Sequence, residues 1–356
     1  MTTVLDPAPA PAAARSRPVL PLVVAALWPA FVLAHLVLSG RWWLWLVPDI
    51  VPPLVFTAVP VVLAAGAAPF RRLRRPVALL SLAALIPGVC ISGWNVAALW
   101  TSPTAPPPGA LTVFSWNTEY WDSDGGPFYP FLQRQHADVY LLQEYLNDGD
   151  IPTPVHDLER LRAAFPGYHI AVAGELVTVS RLPILRTYPL PADVPLTDTG
   201  WVAEFVRDKI LRTDIDLGSG TVLSVYNLHL PVQLSPGLSV FDGAFWRTVR
   251  DQHAQREPQL RALTADVDAN RNPILVAGDF NTSPAMGDLR KIPPRLHDAG
   301  ALLPLYPASW RDRDGLPRWW RLDWAYTTSD VRVHSYDFGR TDGQSDHSFQ
   351  LLRISV

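Results

Sequence analysis

The chain has 356 residues, 48% of them apolar, and a net charge of −3, which excludes a disordered polyelectrolyte and leaves room for more than one structural unit. Its charge is uneven: residues 1–103 hold seven arginines against two acids, Asp6 and Asp49, so residues 104–356 carry −8. The single cysteine, Cys90, excludes an intrachain disulfide.

Residues 1–18 read as a cytoplasmic tail carrying Arg15 and Arg17. Val19 to Ser39 is uncharged and mostly apolar, and about 20 helical residues cross the roughly 30 Å hydrocarbon core of a bilayer. A second span is expected over 50–70, opened by Asp49 as N-cap with Pro52 and Pro53 in the first turn. A third covers 76–100. Residues 19–100 are thus predicted to form a membrane region with three transmembrane helices, although Trp42–Val47 would alternatively lie flat at the interface. Arg71, Arg72, Arg74 and Arg75 separate the second and third spans, whereas the loop between the first two offers only Arg41. That bias places the N-terminus inside and the chain after Trp100 outside. Trp42, Trp43, Trp45, Trp94 and Trp100 would then form an aromatic belt on the outer side. A cleaved signal peptide is the competing reading of the first span, disfavoured by its long apolar run. His35, inside that span, is either functional or a neutral imidazole bonded between helices.

Residues 101–109 (TSPTAPPPG) form a Pro-rich linker, and at about 3.1 Å per residue it keeps the domain over 110–356 near the membrane. In that domain, apolar runs end directly in polar residues: Leu111–Trp116 at Asn117, Val139–Leu142 at Gln143-Glu144, Val177–Val179 at Ser180-Arg181, Val222–Leu228 at His229, and Ile274–Ala277 at Gly278-Asp279. Leu322–Tyr326 carries Asp323, and Phe349–Val356 follows Asp346-His347. Helical patterns over 128–137, 157–165 and roughly 250–269 lie between them. Buried strands alternating with helices predict a layered α/β fold whose strand ends line one crevice.

The ordered set Asn117, Gln143-Glu144, Ser180-Arg181-x-Pro183-Ile184, Asn227-x-His229, Gly278-Asp279-x-Asn281, Arg321-x-Asp323 and Ser345-Asp346-His347 resembles the endonuclease/exonuclease/phosphatase superfamily across residues 110–356. The resemblance implies a four-layer α/β/β/α sandwich and an extracytoplasmic, Mg²⁺-dependent phosphoesterase, with Mn²⁺ as a possible substitute. It implies metal ligation by Glu144, with help from Asn117 and Asp346. It gives His347 and Asp323 as a catalytic dyad, Asp279 as the group that orients or deprotonates water, and His229 as a phosphate binder or proton donor. Asn281 and Asn117 would meet the phosphate. Glu175 lies near the place of a partner for His229, and Arg181 reads as structural. A carboxylate accepting one imidazole N–H raises the basicity of the other nitrogen, which is why the pairing matters.

For the substrate, the acidic domain without an evident Lys/Arg cluster disfavours nucleic acid. Tethering near the outer leaflet favours a lipid-linked phosphate or diphosphate. The segment from Leu230 to Trp246 is apolar and Gly/Pro-punctuated, and Leu238, Phe241 and Phe245 in it are candidates for dipping into the interface. Trp310, Trp319, Trp320 and Trp324 flank the Asp323 motif, with core packing expected for Trp310 and Trp324. A short multi-span N-terminus before such a domain also resembles the teicoplanin-resistance membrane protein VanJ and its bacterial relatives, which implies a cell-envelope role. The alternatives are a surface nuclease and a non-catalytic envelope binding protein.

Overall fold

The computed structural model describes residues 19–121, 128–147, 153–155, 158–194, 196, 199–234, 237–312, 315–341 and 343–356. The tail with Arg15 and Arg17 lies outside the described residues. Helices α1 (Val19–Leu38), α2 (Leu46–Asp49), α3 (Val55–Ala67) and α4 (Arg74–Ile91) come first. Of these, α1 and α4 are long and apolar enough to cross a membrane. The expected span over 50–70 is shorter than predicted: its helix has 13 residues, about 20 Å at 1.5 Å per residue. The chain at Pro52 and Pro53 makes only i→i+3 bonds to the Val55 and Phe56 amides before the helix begins, and Pro69 stops it at the other end. The expected span over 76–100 ends at Ile91, because Gly93 turns the chain at φ +80°. The Trp42–Val47 stretch coils into a 3₁₀ turn and α2, and packs on the 110–356 domain through Leu46, Phe245, Val249 and Met286.

Gly88 lets α4 approach α3 closely, since a Cβ there would lie 2.4 Å from the Phe56 carbonyl oxygen. Leu27, Leu33, Val62, Leu79 and Ile86 point outward, exposed on the helix surfaces.

The remaining chain builds strands β1 (Leu111–Asn117), β2 (Val139–Gln143), β3 (Leu146–Asn147), β4 (Thr153–Pro154), β5 (His169–Ala173), β6 (Leu176–Ser180), β7 (Ile184–Pro189), β8 (Ile210–Asp216), β9 (Val222–His229), β10 (Ile274–Asp279), β11 (His297–Asp298), β12 (Asp323–Thr327), β13 (Arg332–Gly339) and β14 (Phe349–Ser355). Between them lie α5 (Phe128–Arg134), α6 (Leu158–Ala164), α7 (Trp201–Arg207) and α8 (Gly243–Ala269). Two six-stranded sheets result, ordered β13-β14-β1-β2-β6-β5 and β11-β12-β10-β9-β8-β7.

Alternation along each strand sends successive side chains to opposite faces. Val113, Leu141, Val225, Leu275 and Leu352 meet between the sheets. Phe114, Trp116 and Tyr140 face the opposite way and pack with Phe131 and Leu132 of α5 and Leu161 of α6. On the other outer face, Tyr226, Leu228 and Val276 meet Leu260, Leu263 and Val267 of α8. The layers therefore run helix, sheet, sheet, helix. Helix α8 begins seven residues before the expected position, capped by the Asp242 side chain on the Ala244 amide. That earlier start buries Phe245, expected to be exposed, in the packing cluster with Leu46.

Candidate active site

Strand register sets the site. β9 and β10 run parallel with His229 beside Asp279, and β10 and β12 run antiparallel with Asp279 beside Asp323. Three functional side chains thus stand abreast at one sheet end. In the other sheet, β1 and β2 run parallel and place Asn117 beside Gln143, with Glu144 the next residue. Gly278 makes the sheet end possible: its φ is +152°, and a Cβ would fall 2.0 Å from the Leu228 carbonyl oxygen. Glu144 and Asn281 hold left-handed backbone at φ +57° and +45°, a strain that clusters at functional sites.

Polar groups join the two sheets. Gln143 donates to Asn227 Oδ1 at 2.6 Å, and Asn227 donates to the carbonyls of Leu142 and Val177 at 3.0 Å. Nearer the crevice, Asn117 Nδ2 donates to Glu144 Oε1 at 2.9 Å and to Asp279 Oδ2 at 3.0 Å. Ser345 donates to the Asn117 carbonyl at 2.8 Å and so fixes the loop carrying Asp346 and His347.

Two imidazole–carboxylate pairs face each other across Asp279. His347 Nδ1 is 2.9 Å from Asp323 Oδ2, which leaves its Nε2 3.6 Å from Asp279 Oδ2. His229 Nδ1 is 3.0 Å from Glu175 Oε1, and its Nε2 lies 3.5 Å from Asp279 Oδ2 and 3.7 Å from Glu144 Oε1. Asn281 Nδ2 sits 3.1 Å from His229 Nε2. Burial opposes protonation of both histidines, yet the facing carboxylates outweigh it: His347 is raised well above its ordinary value, chiefly by Asp323, and His229 is raised chiefly by Glu175. Asp279 is pushed up to about 6 by burial, with the Asp323 charge adding to it and the histidines opposing. An acid near neutrality flanked by two basic imidazoles is suited to exchanging protons with water and a leaving oxygen.

Asn117, Glu144, His229, Asp279, Asn281, Asp323, Asp346 and His347 are all brought to this crevice. Glu175, expected near the place of such a partner, pairs with His229. Lys209 was not anticipated. It is buried and donates to the same Glu175 carboxylate. Burial would raise Glu175, but Lys209 and then His229 hold it down at about 2. One hint was available: Lys209 is one of two lysines in the chain and directly precedes an apolar run. Glu119 was missed as well. It accepts the Asp346 amide at 2.8 Å, and burial, then the charges of Asp346 and Glu144, raise its pKa. Trp310 is more than core, since its Nε1 donates to Asp346 Oδ2 at 2.6 Å. Trp324 is buried as expected, and Arg181 is structural, paired with Asp138 at 2.5 Å.

A hard divalent cation fits this donor set. Glu119, Glu144 and Asp346 crowd negative charge together: burial raises Glu119 first, and the charges of Asp346 and Glu144 add to it. Glu144 and Asp346 are 20% and 26% exposed, open enough for an ion that retains water, as Mg²⁺ does. Asp279, Asp323 and His347 also place ligand atoms within 4.8 Å of one another. That group is wholly buried, and its His347–Asp323 contact is already made.

Residues 93–347 match the model of the endonuclease/exonuclease/phosphatase family. The chain belongs to that family, whose members are typically metal-dependent hydrolases, phosphatases and nucleases among them. No curated protein matches it in sequence. Among solved structures, a D. rerio TDP2 humanized by 14 mutations superposes with a TM-score of 0.51 at 16% identity, covering 70% of this chain and 100% of that one. A mannosyl-6-phosphatase from Bacteroides thetaiotaomicron gives 0.47 at 15% identity, covering 69% and 100%. The 3′ phosphatase NExo from Neisseria, bound to a product DNA hairpin, gives 0.48 at 15% identity, also covering 69% and 100%.

Proposed function

We propose that the protein is a membrane-anchored, divalent-metal-dependent phosphohydrolase that acts on a lipid-linked phosphate or diphosphate at the outer face of the membrane. The observation that carries this reading is the seat of the loop following Asn281. Ala285 is buried with Val32, Phe56 and Ala84 of the N-terminal helices. His35 Nε2 lies 2.8 Å from the Ala285 carbonyl, and the Gly287 amide donates to Ser39 Oγ at 2.7 Å. The phosphate crevice is therefore four residues away from the apolar helices. Trp320 donates to the Ile50 carbonyl at 3.0 Å, and the rings of Trp43 and Trp246 lie 6.5 Å apart. Beside these contacts Val240 and Phe241 stand exposed, Phe241 at 97%, apolar enough to enter the headgroup layer.

In this reading Asp279 orients the attacking water and takes its proton, while His347, held by Asp323, faces the phosphoryl group. His229, Asn281 and Asn117 bind phosphate oxygens. The cation at Glu144, Asp346 and Asn117 supplies Lewis-acid stabilisation of phosphoryl charge. A cell-envelope role of the teicoplanin-resistance type is part of the proposal; it rests on the N-terminal helices preceding this domain.

The test is phosphate release in detergent with Mg²⁺ from a polyprenyl diphosphate, a phospholipid headgroup series and DNA. Lipid substrates are expected to turn over, and His347→Ala is expected to lose about a hundredfold or more, as removal of an acid–base group does. Cleavage of DNA alone would replace this reading with the nuclease. Full activity of Glu144→Ala on every substrate would remove the metal assignment.

A further inference from the structure

Lys209, Glu175 and His229 meet because of strand register. β8 and β9 run antiparallel with Ile210 opposite Leu228, so Lys209 stands opposite His229, and the His229 amide donates to the Lys209 carbonyl at 3.0 Å. Glu175 lies in the turn between β5 and β6, where its carbonyl accepts the Tyr145 amide at 3.0 Å. Glu175 Oε1 then faces two groups at once, Lys209 Nζ and, at 3.0 Å, His229 Nδ1. The Lys209 ammonium also lies 3.5 Å from the centre of the Phe205 ring of α7, a cation–π contact. Lys209, Glu175 and His229 are all buried, Glu175 completely.

Stability alone does not require this lysine. Removing two charges from water costs about what their attraction returns, and apolar side chains of similar volume stabilise a core as well or better. What the ammonium changes is the direction of the Glu175–His229 hydrogen bond. A buried carboxyl group with no cation beside it favours its neutral form, whose hydroxyl donates. It would donate to Nδ1 and leave the imidazole hydrogen on Nε2. An ammonium on Oε1 favours the carboxylate, which only accepts, so Nδ1 must donate. The far side of the ring fits the second arrangement. Asn281 Nδ2 lies 3.1 Å from His229 Nε2 and donates to the Leu230 carbonyl at 2.9 Å, which fixes that end of the side chain as its nitrogen. An amide nitrogen donates and does not accept. Neutral His229 therefore meets it with the Nε2 lone pair and carries its hydrogen on Nδ1.

We propose that Lys209 is a positioning residue for His229: through Glu175 it holds the imidazole in the form with hydrogen on Nδ1, and so turns the Nε2 lone pair toward Asn281 and the crevice. Lys209 grips His229 at two points, by its carbonyl on the amide and by its ammonium through Glu175. Nε2 also lies 3.5 Å from Asp279 Oδ2 and 3.7 Å from Glu144 Oε1. A hydrogen on Nε2 would meet the hydrogens of the Asn281 amide and push that side chain out of its place beside the phosphate. The consequence for rate rests on the phosphohydrolase reading above; the position of the hydrogen does not.

The experiment uses the full-length protein in detergent, labelled with ¹⁵N-histidine, and reads by NMR which ring nitrogen of neutral His229 carries the hydrogen. The His229 signals are those lost in His229→Gln. In the wild type the hydrogen is expected on Nδ1; finding it on Nε2 overturns the proposal with no lysine variant needed. In Lys209→Met, and in Lys209→Gln, which keeps a donor to Glu175 without the charge, the hydrogen is expected to move to Nε2. With Mg²⁺ and a substrate that the wild type turns over, kcat of these variants is expected to fall about tenfold to a hundredfold, the range for groups that orient a reactive imidazole from behind. Lys209→Arg, which keeps a cation on Glu175, is expected to retain the hydrogen on Nδ1, and its loss there overturns the role of the charge. Hydrogen remaining on Nδ1 in a folded neutral variant, whatever the rate, assigns Lys209 to stability alone and overturns the proposal. Wild-type protein inert on every phosphate ester removes the phosphohydrolase reading and leaves the imidazole measurement to decide the role of Lys209.

Discussion

Asp279 is the most heavily engaged acid of the crevice, touching Asn117, facing two imidazoles and sharing its sheet end with Asp323. Its motif marks it out, because a carboxylate and an amide at the end of an apolar run suit phosphate chemistry. What spacing did not reveal is the second set, Lys209–Glu175–His229, whose members lie on separate segments: just before β8, in the turn between β5 and β6, and at the end of β9. Its titration has a definite sign. Glu175 is depressed from 4.5 to about 2 in the folded chain, so its contribution to stability is present above pH 4.5 and is lost as pH falls toward 2. Thermal melting in detergent should therefore drop between pH 5 and 3. Glu175→Gln should start lower at pH 6, by about 3–5 kcal/mol for a broken buried pair, and then lose less on acidification. Parallel melting curves for the two proteins would contradict this account.

Elements explain why the residues meet. The strands anticipated from apolar runs, 111–116, 139–142, 177–179, 222–228, 274–277, 322–326 and 349–356, all form with small shifts at their ends. Those not anticipated are the two-residue β3, β4 and β11, too short for any pattern, and β5, β7, β8 and β13, which include strands with exposed and polar positions that blur any apolar run. The helices shift for local reasons, namely prolines around α3 and the Asp242 cap on α8. The contact of α1 with the catalytic loop is testable at this scale. His35 Nε2 lies 2.8 Å from the Ala285 carbonyl, and its Nδ1 accepts from Trp45 Nε1 at 3.0 Å. His35→Ala would leave both partners unsatisfied, at about 1–3 kcal/mol each. A lower melting temperature together with reduced kcat is expected. Unaltered kcat with a lowered melting temperature would mean that the contact serves stability alone.

At the scale of the whole molecule, the Pro-rich segment is laid on the domain rather than hanging free: Thr101 donates to the Ala301 carbonyl at 2.6 Å, and the Thr104 amide donates to the His334 carbonyl at 2.9 Å. Asn95 donates to the carbonyls of Gly300 and Leu303 at 2.9 and 2.5 Å. The helices and the catalytic domain thus make a continuous body, with the crevice loop at their junction. In the proposed topology, which rests on the arginine bias, that junction faces outward. Reporter fusions after residue 105 should therefore give an extracytoplasmic signal, and a cytoplasmic one would invert the proposed topology.

The order of strand-end motifs determined the family, the layered α/β fold and the chemical type of nearly every site residue, because buried strands and metal-phosphate chemistry both restrict residue choice locally. Only the tertiary structure decided which carboxylate serves which histidine, that Lys209 holds Glu175, and that the Asn281 loop is seated in the apolar helices. Those facts depend on strand register and on contacts between residues up to 250 positions apart, and no local pattern in a chain records which distant segment will fold against it.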